Sequence, residues 1–271
     1  MSLSILNNIP ALSAQNDLQS TQSSLQNTLL QLASGQRINS GADDAAGLAI
    51  ANGLQANVTA LNQSAMNAND GIGALQVADG GLGQVTNLLN RAVTIATESA
   101  TGTVSNSQRT ALDTEYTSIK NEIDQIGQNT TFNGTSVFTS STTSIFMSDA
   151  VANSVIGVSV GTLSSSGLSL SGTDLTTASN AQTALTAIDS AISTVADTRG
   201  TIGASVNRLQ AAANVISVQV QNLTAAQDAI QGANIATEVT NLSKFSILNQ
   251  TGIAALAQAN SQQQNILQLL H

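Results

Sequence analysis

Aliphatic residues recur at alternating intervals of three and four along both ends of this chain, and the pattern stops in its middle. In the first half the stripe runs Leu54, Val58, Leu61, Ala65, Ala68, Ile72 and Leu75, then continues through Leu82 and Leu89 to Ala96. A shorter one follows at Leu112, Tyr116, Ile119, Ile123 and Ile126. The second half carries Leu185, Ile188, Ile192, Val195, Arg199, Ile202, Val206, Leu209, Ala213, Ile216, Val220 and Leu223. A mean spacing near 3.5 keeps one narrow seam turned toward a partner helix, the pattern of coiled-coil packing. As one helix, Leu54 to Ala96 would be roughly 60 Å long at ~1.5 Å per residue. The expected fold is therefore mainly α: long coiled-coil helices from both chain ends packed as a rod, with a small β-hairpin region between them.

Composition narrows what such helices can do. Charged residues make up only 8% of the chain, against ~25% in typical soluble proteins. The faces away from the stripes are Asn, Gln, Ser, Thr and Ala, which suit close subunit contact because no buried charge then needs a partner. A net charge of −9 with seven basic residues scattered along the chain argues against nucleic acid. No run of apolar residues is long enough to span a membrane. The opening residues, MSLSILNNIPALSAQ, lack the basic start and unbroken apolar core of a cleaved secretory signal. The expectation is a cytosolic protein or one exported by a route that needs no such signal.

Along the chain, Pro10 falls where a first helical turn tolerates it, and Leu18, Leu25, Leu29 and Leu32 give that helix an apolar face. Ser34 and Gly35 end it, and Gly35 to Asp44 is a connector. The next helix runs to about Ala100, and a turn at Gly102 to Asn106 precedes the Leu112 to Ile126 helix. Ser144 to Ser148 and Val155 to Val160 are expected as short strands, and Thr162 to Thr177 as turns. Helix resumes near Ala181 and is interrupted near Gly232 to Asn234. A final apolar set includes Leu242, Phe245, Leu248, Ile253, Leu256, Ile266 and Leu267. Both amphipathic ends are expected to pair with each other or with neighbouring subunits.

Little here supports catalysis. The single His is residue 271 and there is no Cys, so no Ser-His-Asp triad, thiol nucleophile or Cys/His zinc site can be assembled. The cluster Gly71, Gly73, Gly80, Gly81 and Gly83 has neither a preceding strand nor a following Gly-Lys-Ser/Thr, so it reads as helix flexibility or close helix contact rather than a phosphate loop. Asp43 and Asp44 fit a helix cap better than a hard-cation site. Arg199 either pairs with an acidic residue across its seam or turns its head outward to water. No catalytic, cofactor or metal residue is assigned.

Several longer motifs carry a resemblance. SGQRINSGADDAAGLAI from Ser34 to Ile50, NANDGI from Asn67 to Ile72 and TFNG from Thr131 to Gly134 closely resemble the N-terminal region of bacterial flagellins. NRL at Asn207 to Leu209, NLTAA at Asn222 to Ala226, IATEV at Ile235 to Val239 and AQAN at Ala257 to Asn260 resemble their C-terminal region. The chain resembles a short flagellin, matching everywhere except about residues 135 to 180. Hook-filament junction proteins share the terminal helices, but NDGI and TFNG favour flagellin. A coiled-coil surface adhesin would need a secretory signal or anchor.

The resemblance implies a structural subunit that polymerises into the helical filament used for swimming. It places residues 1–42 with 232–271 in an inner coiled-coil domain and 43–231 in an outer helical domain, whose β-rich tip lies at about 130–178. Monomer ends that are disordered would fold on incorporation, so burial of their aliphatic faces drives assembly. The packing residues expected are Leu61, Leu75, Leu82, Ile202 and Leu209 in the outer layer and Leu25, Leu29, Leu248, Leu256 and Leu267 in the inner one. Implied partners are other copies of the chain, a filament cap protein, hook-filament junction proteins and an export chaperone, with export through the flagellar type III apparatus to the cell exterior. In some members a Toll-like receptor reads an outer helix. Arg91 matches the arginine there, Ile95 stands for a leucine and Glu98 for a glutamine.

Overall fold

The computed structural model describes residues 8–148 and 154–269. In chain order the elements are helices α1 (Ile9–Ser34), α2 (Ala45–Ala100) and α3 (Asn106–Asn129), strands β1 (Thr131–Phe132), β2 (Thr135–Ser136), β3 (Thr143–Phe146) and β4 (Val155–Val158), and helices α4 (Ala178–Gln231) and α5 (Ile235–Leu269). The fold is mainly α, with two small antiparallel hairpins. The chain divides into two compact units, Met1–Ala56 with Leu223–His271, and Asn57–Asn222.

Local chemistry sets the helix ends. The Asn8 side chain accepts the Ala11 amide at 3.1 Å to start α1, and Gly35, at φ 69°, closes it in the left-handed conformation. Asp44 accepts the Gly47 amide at 2.8 Å to start α2. Asp43 turns back instead, taking the Asn39 and Ser40 amides at 3.0 and 2.8 Å and the Ser40 hydroxyl at 3.0 Å. Both carboxylates thus serve the connector and the cap. Ser105 and Gln108 form a reciprocal capping box at the start of α3.

In the unit formed by residues 57–222, the α2 stripe is the core. Leu61, Leu75, Leu82, Leu89 and Ala96 are all buried. The α4 seam differs from the stripe read in sequence. Its buried positions are Ala181, Ala184, Ile188, Ala191, Val195, Ile202, Ser205, Leu209 and Ile216. Leu185, Ile192 and Val206, expected at the seam, stand beside it half-buried. Ala and Ser stand at several of those layers, and the larger neighbours line the edges. Arg199 stands at such an edge and forms an ion pair with Asp79 of α2. The pairing alternative therefore holds.

The hairpins sit on glycine seats. Asn133 and Gly134 take φ 49° and 77°, the left-handed pair a two-residue hairpin loop requires. On α2, a β-carbon at Gly71 would overlap Ile145, and one at Gly73 or Gly81 would press on Phe132 or Phe138. Gly71, Gly73 and Gly81 thus mark close contact with the hairpin region, whereas Gly80 and Gly83 face open space. Strand β3 pairs with β4 from Thr143↔Val158 to Phe146↔Val155.

The Thr162 to Thr177 stretch has no helix or strand, yet Leu168, Leu170 and Leu175 within it are buried. One face of α3 holds it. Asp113 accepts the Leu175 amide, the Tyr116 hydroxyl meets that of Thr173, Lys120 donates to the Thr173 carbonyl, and Asp124 accepts the Ser165 amide and hydroxyl, all within 2.8 Å. These four residues share one side of the helix by their three-and-four spacing. Burial pushes the Tyr116 hydroxyl above its ordinary pKa.

In the other unit, α1 and α5 pack against each other. Among described side chains, α1 covers Ala11, Ala14, Leu18, Thr21, Leu25, Thr28 and Leu32, an unbroken run of threes and fours. The covered positions of α5 include Leu242, Phe245, Asn249, Gly252, Leu256 and Ala259, with the same repeat. Leu18 seats against Gly252, its Cβ 3.8 Å from where a β-carbon there would stand.

Candidate functional site

The terminal helical pair carries large apolar residues on more than one face. Its internal seam mixes Leu18, Leu25, Leu32, Leu242, Phe245 and Leu256 with Ala, Thr, Asn and Gly, while further large aliphatic side chains point outward. Exposure reaches 64% at Ile9, 59% at Leu12, 61% at Leu30, 60% at Ile247 and 53% at Ile253. At ~3.6 residues per turn, Leu12 and Leu30 fall on the side of α1 opposite its seam. An open groove of about 1100 Å³, lined by Ile9, Leu12, Gln15, Leu18, Leu256 and Asn260, runs along the pair. Surfaces of this kind mark an association site rather than a chemical one.

Among the described residues no group of three His, Cys, Asp or Glu side chains is gathered to hold a metal, and no helix is long and apolar enough to cross a membrane. A second cleft, of about 340 Å³, opens between α2 and both hairpins, with Leu75, Ile145 and Val158 as its apolar floor. Its rim carries the hydroxyls of Thr135, Ser141 and Thr143.

The packing residues expected from sequence fall into three groups. Leu61, Leu75, Leu82, Ile202 and Leu209 are no more than 3% exposed and belong to the core of the 57–222 unit. Leu25 and Leu256 are half-buried in the α1/α5 seam. Leu29 and Leu248 are exposed, at 46% and 42%, and lie outside that seam. The Leu267 side chain lies outside the described ones. Arg91 is exposed and bonds Glu115 of α3 at 2.7 Å, which holds its guanidinium further into the protonated form. Glu98 is exposed, but Ile95 is 1% exposed and faces the core.

Sequence reasoning passed over Ile9, Leu12, Leu30 and Ile247, because they fall off the three-and-four stripe. Large aliphatics off the seam of an otherwise polar helix were the available signal of a second contact face. It also passed over Arg109, which is 7% exposed and donates to the carbonyls of Ser99, Thr101 and Val104 at 2.9, 2.8 and 2.8 Å. That single guanidinium closes the C-terminal end of α2 and the turn after it.

The bacterial flagellin N-terminal helical region matches residues 5–143, and the flagellin C-terminal helical region matches 185–270. A flagellin of Halalkalibacterium halodurans is 34% identical over 270 residues, covering 98% of this chain and 99% of that protein. The flagellar filament 30.7 kDa core protein of Treponema maltophilum is 32% identical over 282 residues, with the same coverage. Among solved structures, Bacillus cereus flagellin superposes with a TM-score of 0.50 at 31% identity, over 60% of this chain and 94% of that one. With helical seams, outward aliphatic faces and full-length similarity in agreement, the chain belongs to the bacterial flagellin family and is a structural subunit of the extracellular flagellar filament.

Proposed function

We propose that this flagellin polymerises through the outward aliphatic faces of α1 and α5, which neighbouring copies cover. The observation that carries the reading is the second apolar face of the terminal pair: Ile9, Leu12, Leu30, Ile247 and Ile253 stand outside the internal seam and more than half exposed. Burying one such side chain contributes about 1.5–3 kcal/mol, so a handful per subunit adds roughly 10 kcal/mol in favour of association. Leu29 and Leu248, also exposed, border the same faces. In the filament, residues 1–42 with 232–271 form the inner coiled-coil layer, and 43–231 form the outer one with the tip at about 130–178. Leu61, Leu75, Leu82, Ile202 and Leu209 then keep the outer layer rigid from within.

Membership of the family supports the remaining roles. The chain leaves the cell through the flagellar type III apparatus without a cleaved signal, escorted by an export chaperone, and assembles between junction proteins and a cap protein. A Toll-like receptor contact on α2 would rest on Arg91 and Glu98, since Ile95 is turned to the core.

Deleting Ile253 to His271 tests the assembly reading. Filaments should disappear under seeded growth while the 57–222 unit keeps its helical circular dichroism. Normal filaments from the truncated chain would overturn it.

A further inference from the structure

The α1/α5 seam by itself leaves its register open. Leu18 faces Gly252. Carrying that offset along the antiparallel pair places Ala14 opposite Leu256 and Leu25 opposite Phe245. A slide of one heptad, about seven residues, would instead set Leu18 against Ala259, Leu25 against Gly252 and Leu32 against Phe245. Those are again large residues against small or apolar ones. Because both registers set large side chains against small ones at several layers, the repeating seam by itself discriminates weakly between them.

Two polar ties break that degeneracy, one at each end of the pair. At the chain-terminal end, the Asn8 amide donates to the Ala259 carbonyl at 3.1 Å, while its carbonyl oxygen caps α1. At the connector end, the Arg37 amide donates to the Gln231 carbonyl at 2.6 Å and its guanidinium to the Ile230 carbonyl at 2.8 Å. Beside it Gln36 pairs with Gly232 in an antiparallel bridge, and the Ala233 amide donates to the Gly35 carbonyl at 3.0 Å. The Arg37 carbonyl is itself held by Gln31 at 3.0 Å. Asn8 and Arg37 are separated by about 40 Å of helix, and a one-heptad slide displaces each donor by about 10 Å from its acceptor at ~1.5 Å per residue.

We infer that Asn8 and Arg37 are positioning residues for polymerisation: they select the α1/α5 register, and thereby which aliphatic side chains stand together on the outer faces that neighbouring copies cover. This rests on the assembly reading above. Because the ties use hydrogen bonds to main-chain carbonyls, they fix position without adding apolar surface that would compete with the intersubunit faces.

The chain has no cysteine, so cross-linking can read the register directly. The separation of 3.8 Å at positions 18 and 252 suits a disulfide. Three full-length pairs are oxidised during growth on filament seeds: Leu18→Cys with Gly252→Cys for the native register, and Leu18→Cys with Ala259→Cys or Ala11→Cys with Gly252→Cys for the two slipped ones. Each is made in the parent and with Asn8→Asp plus Arg37→Met. Asn8→Asp keeps the cap but loses the donor, and Arg37→Met keeps the stem but loses the guanidinium. Expected are a several-fold fall in the native cross-link, a matching rise in a slipped one, and fewer subunits added to seeds. Arg37→Lys, which restores one donor, should recover the native cross-link in part. Equal native cross-linking in parent and variant would overturn the inference. So would loss of all three cross-links, because the ties would then supply pairing rather than register. If the chain with Asn8, Arg37 and no cysteine does not grow on seeds, the assembly reading itself fails, a separate outcome.

Discussion

Arg199 on α4 grips Asp79 on α2 with two hydrogen bonds, Nε to Oδ1 at 2.8 Å and Nη2 to Oδ2 at 3.2 Å. The hydrogen bond from Arg199 holds the Asp79 carboxyl below its usual value of 3.8 against the opposing effect of burial, and the positive charge of Arg199 adds to the lowering. A carboxyl whose folded pKa is lowered contributes stability that is present above the unfolded value and is lost as pH falls through the folded one. Both side chains are about 40% exposed, so the pair is worth at most about 1 kcal/mol. Asp79→Asn should lower the melting temperature slightly at neutral pH and flatten its decline on acidification below 3.8, read by thermal melts across pH. Asp43 and Asp174, also held low by hydrogen bonds to their carboxyls, leave a residual acid dependence of the same sign in the variant.

Gly127 near the end of α3 lies directly under the Leu163 carbonyl, and a β-carbon there would overlap that main-chain oxygen. A backbone atom cannot rotate aside as a side chain can, so Gly127→Ala should cost about 1–3 kcal/mol through overpacking. Gly83 on α2 has open space where a β-carbon would go. There Gly83→Ala should be neutral or stabilise by about 0.4–1 kcal/mol, since the helix gains propensity and the unfolded chain loses freedom. Urea unfolding of the two variants side by side checks the contrast.

Arg109 offers a larger effect. Its guanidinium satisfies three carbonyls at the end of α2 while almost fully buried. Arg109→Met retains much of the volume but removes the side-chain donor to the Ser99 and Val104 carbonyls, at about 1–3 kcal/mol for a buried unsatisfied group. The Thr101 carbonyl keeps the Val104 amide at 3.3 Å. We expect a total loss of about 3 kcal/mol in chemical denaturation, and faster hydrogen exchange at the C-terminal turn of α2.

How much of this was legible in the sequence depended on whether period or partner decided the outcome. Helix positions, the break at Gly232 to Asn234 and the strands near Thr143 and Val155 followed from period and turn chemistry, which are local. The α4 seam is displaced by one residue at alternate layers, with Ala184, Ala191 and Ser205 buried in place of Leu185, Ile192 and Val206. Only the packed partner specifies that. The stretch from Thr162 to Thr177 reads as turns, which it is, but its burial is not legible because its restraints are carried by Asp113, Tyr116, Lys120 and Asp124, tens of residues away on α3. Likewise, Arg91, Ile95 and Glu98 sit close in sequence, yet helical phase sends Ile95 into the core and leaves the other two exposed.

Leu30 and Ile247 separate folding from assembly. Each is about 60% exposed and lies off the internal seam, so replacing it disturbs little within the subunit, whereas Leu209 is fully buried in the core of the 57–222 unit. Leu30→Gln and Ile247→Gln keep a good helix former at each site and should leave the monomer's unfolding within about 0.5 kcal/mol of the parent. If neighbouring copies cover these side chains, each variant loses about 1.5–3 kcal/mol of burial per subunit. That raises the critical concentration for filament growth by about tenfold or more. Leu209→Ala should do the reverse in kind, lowering subunit stability by about 2–5 kcal/mol through a core cavity. Sedimentation of filaments against residual monomer, paired with thermal melts of the same samples, reads both quantities. Unchanged critical concentrations for Leu30→Gln and Ile247→Gln would remove the outward faces from the assembly interface.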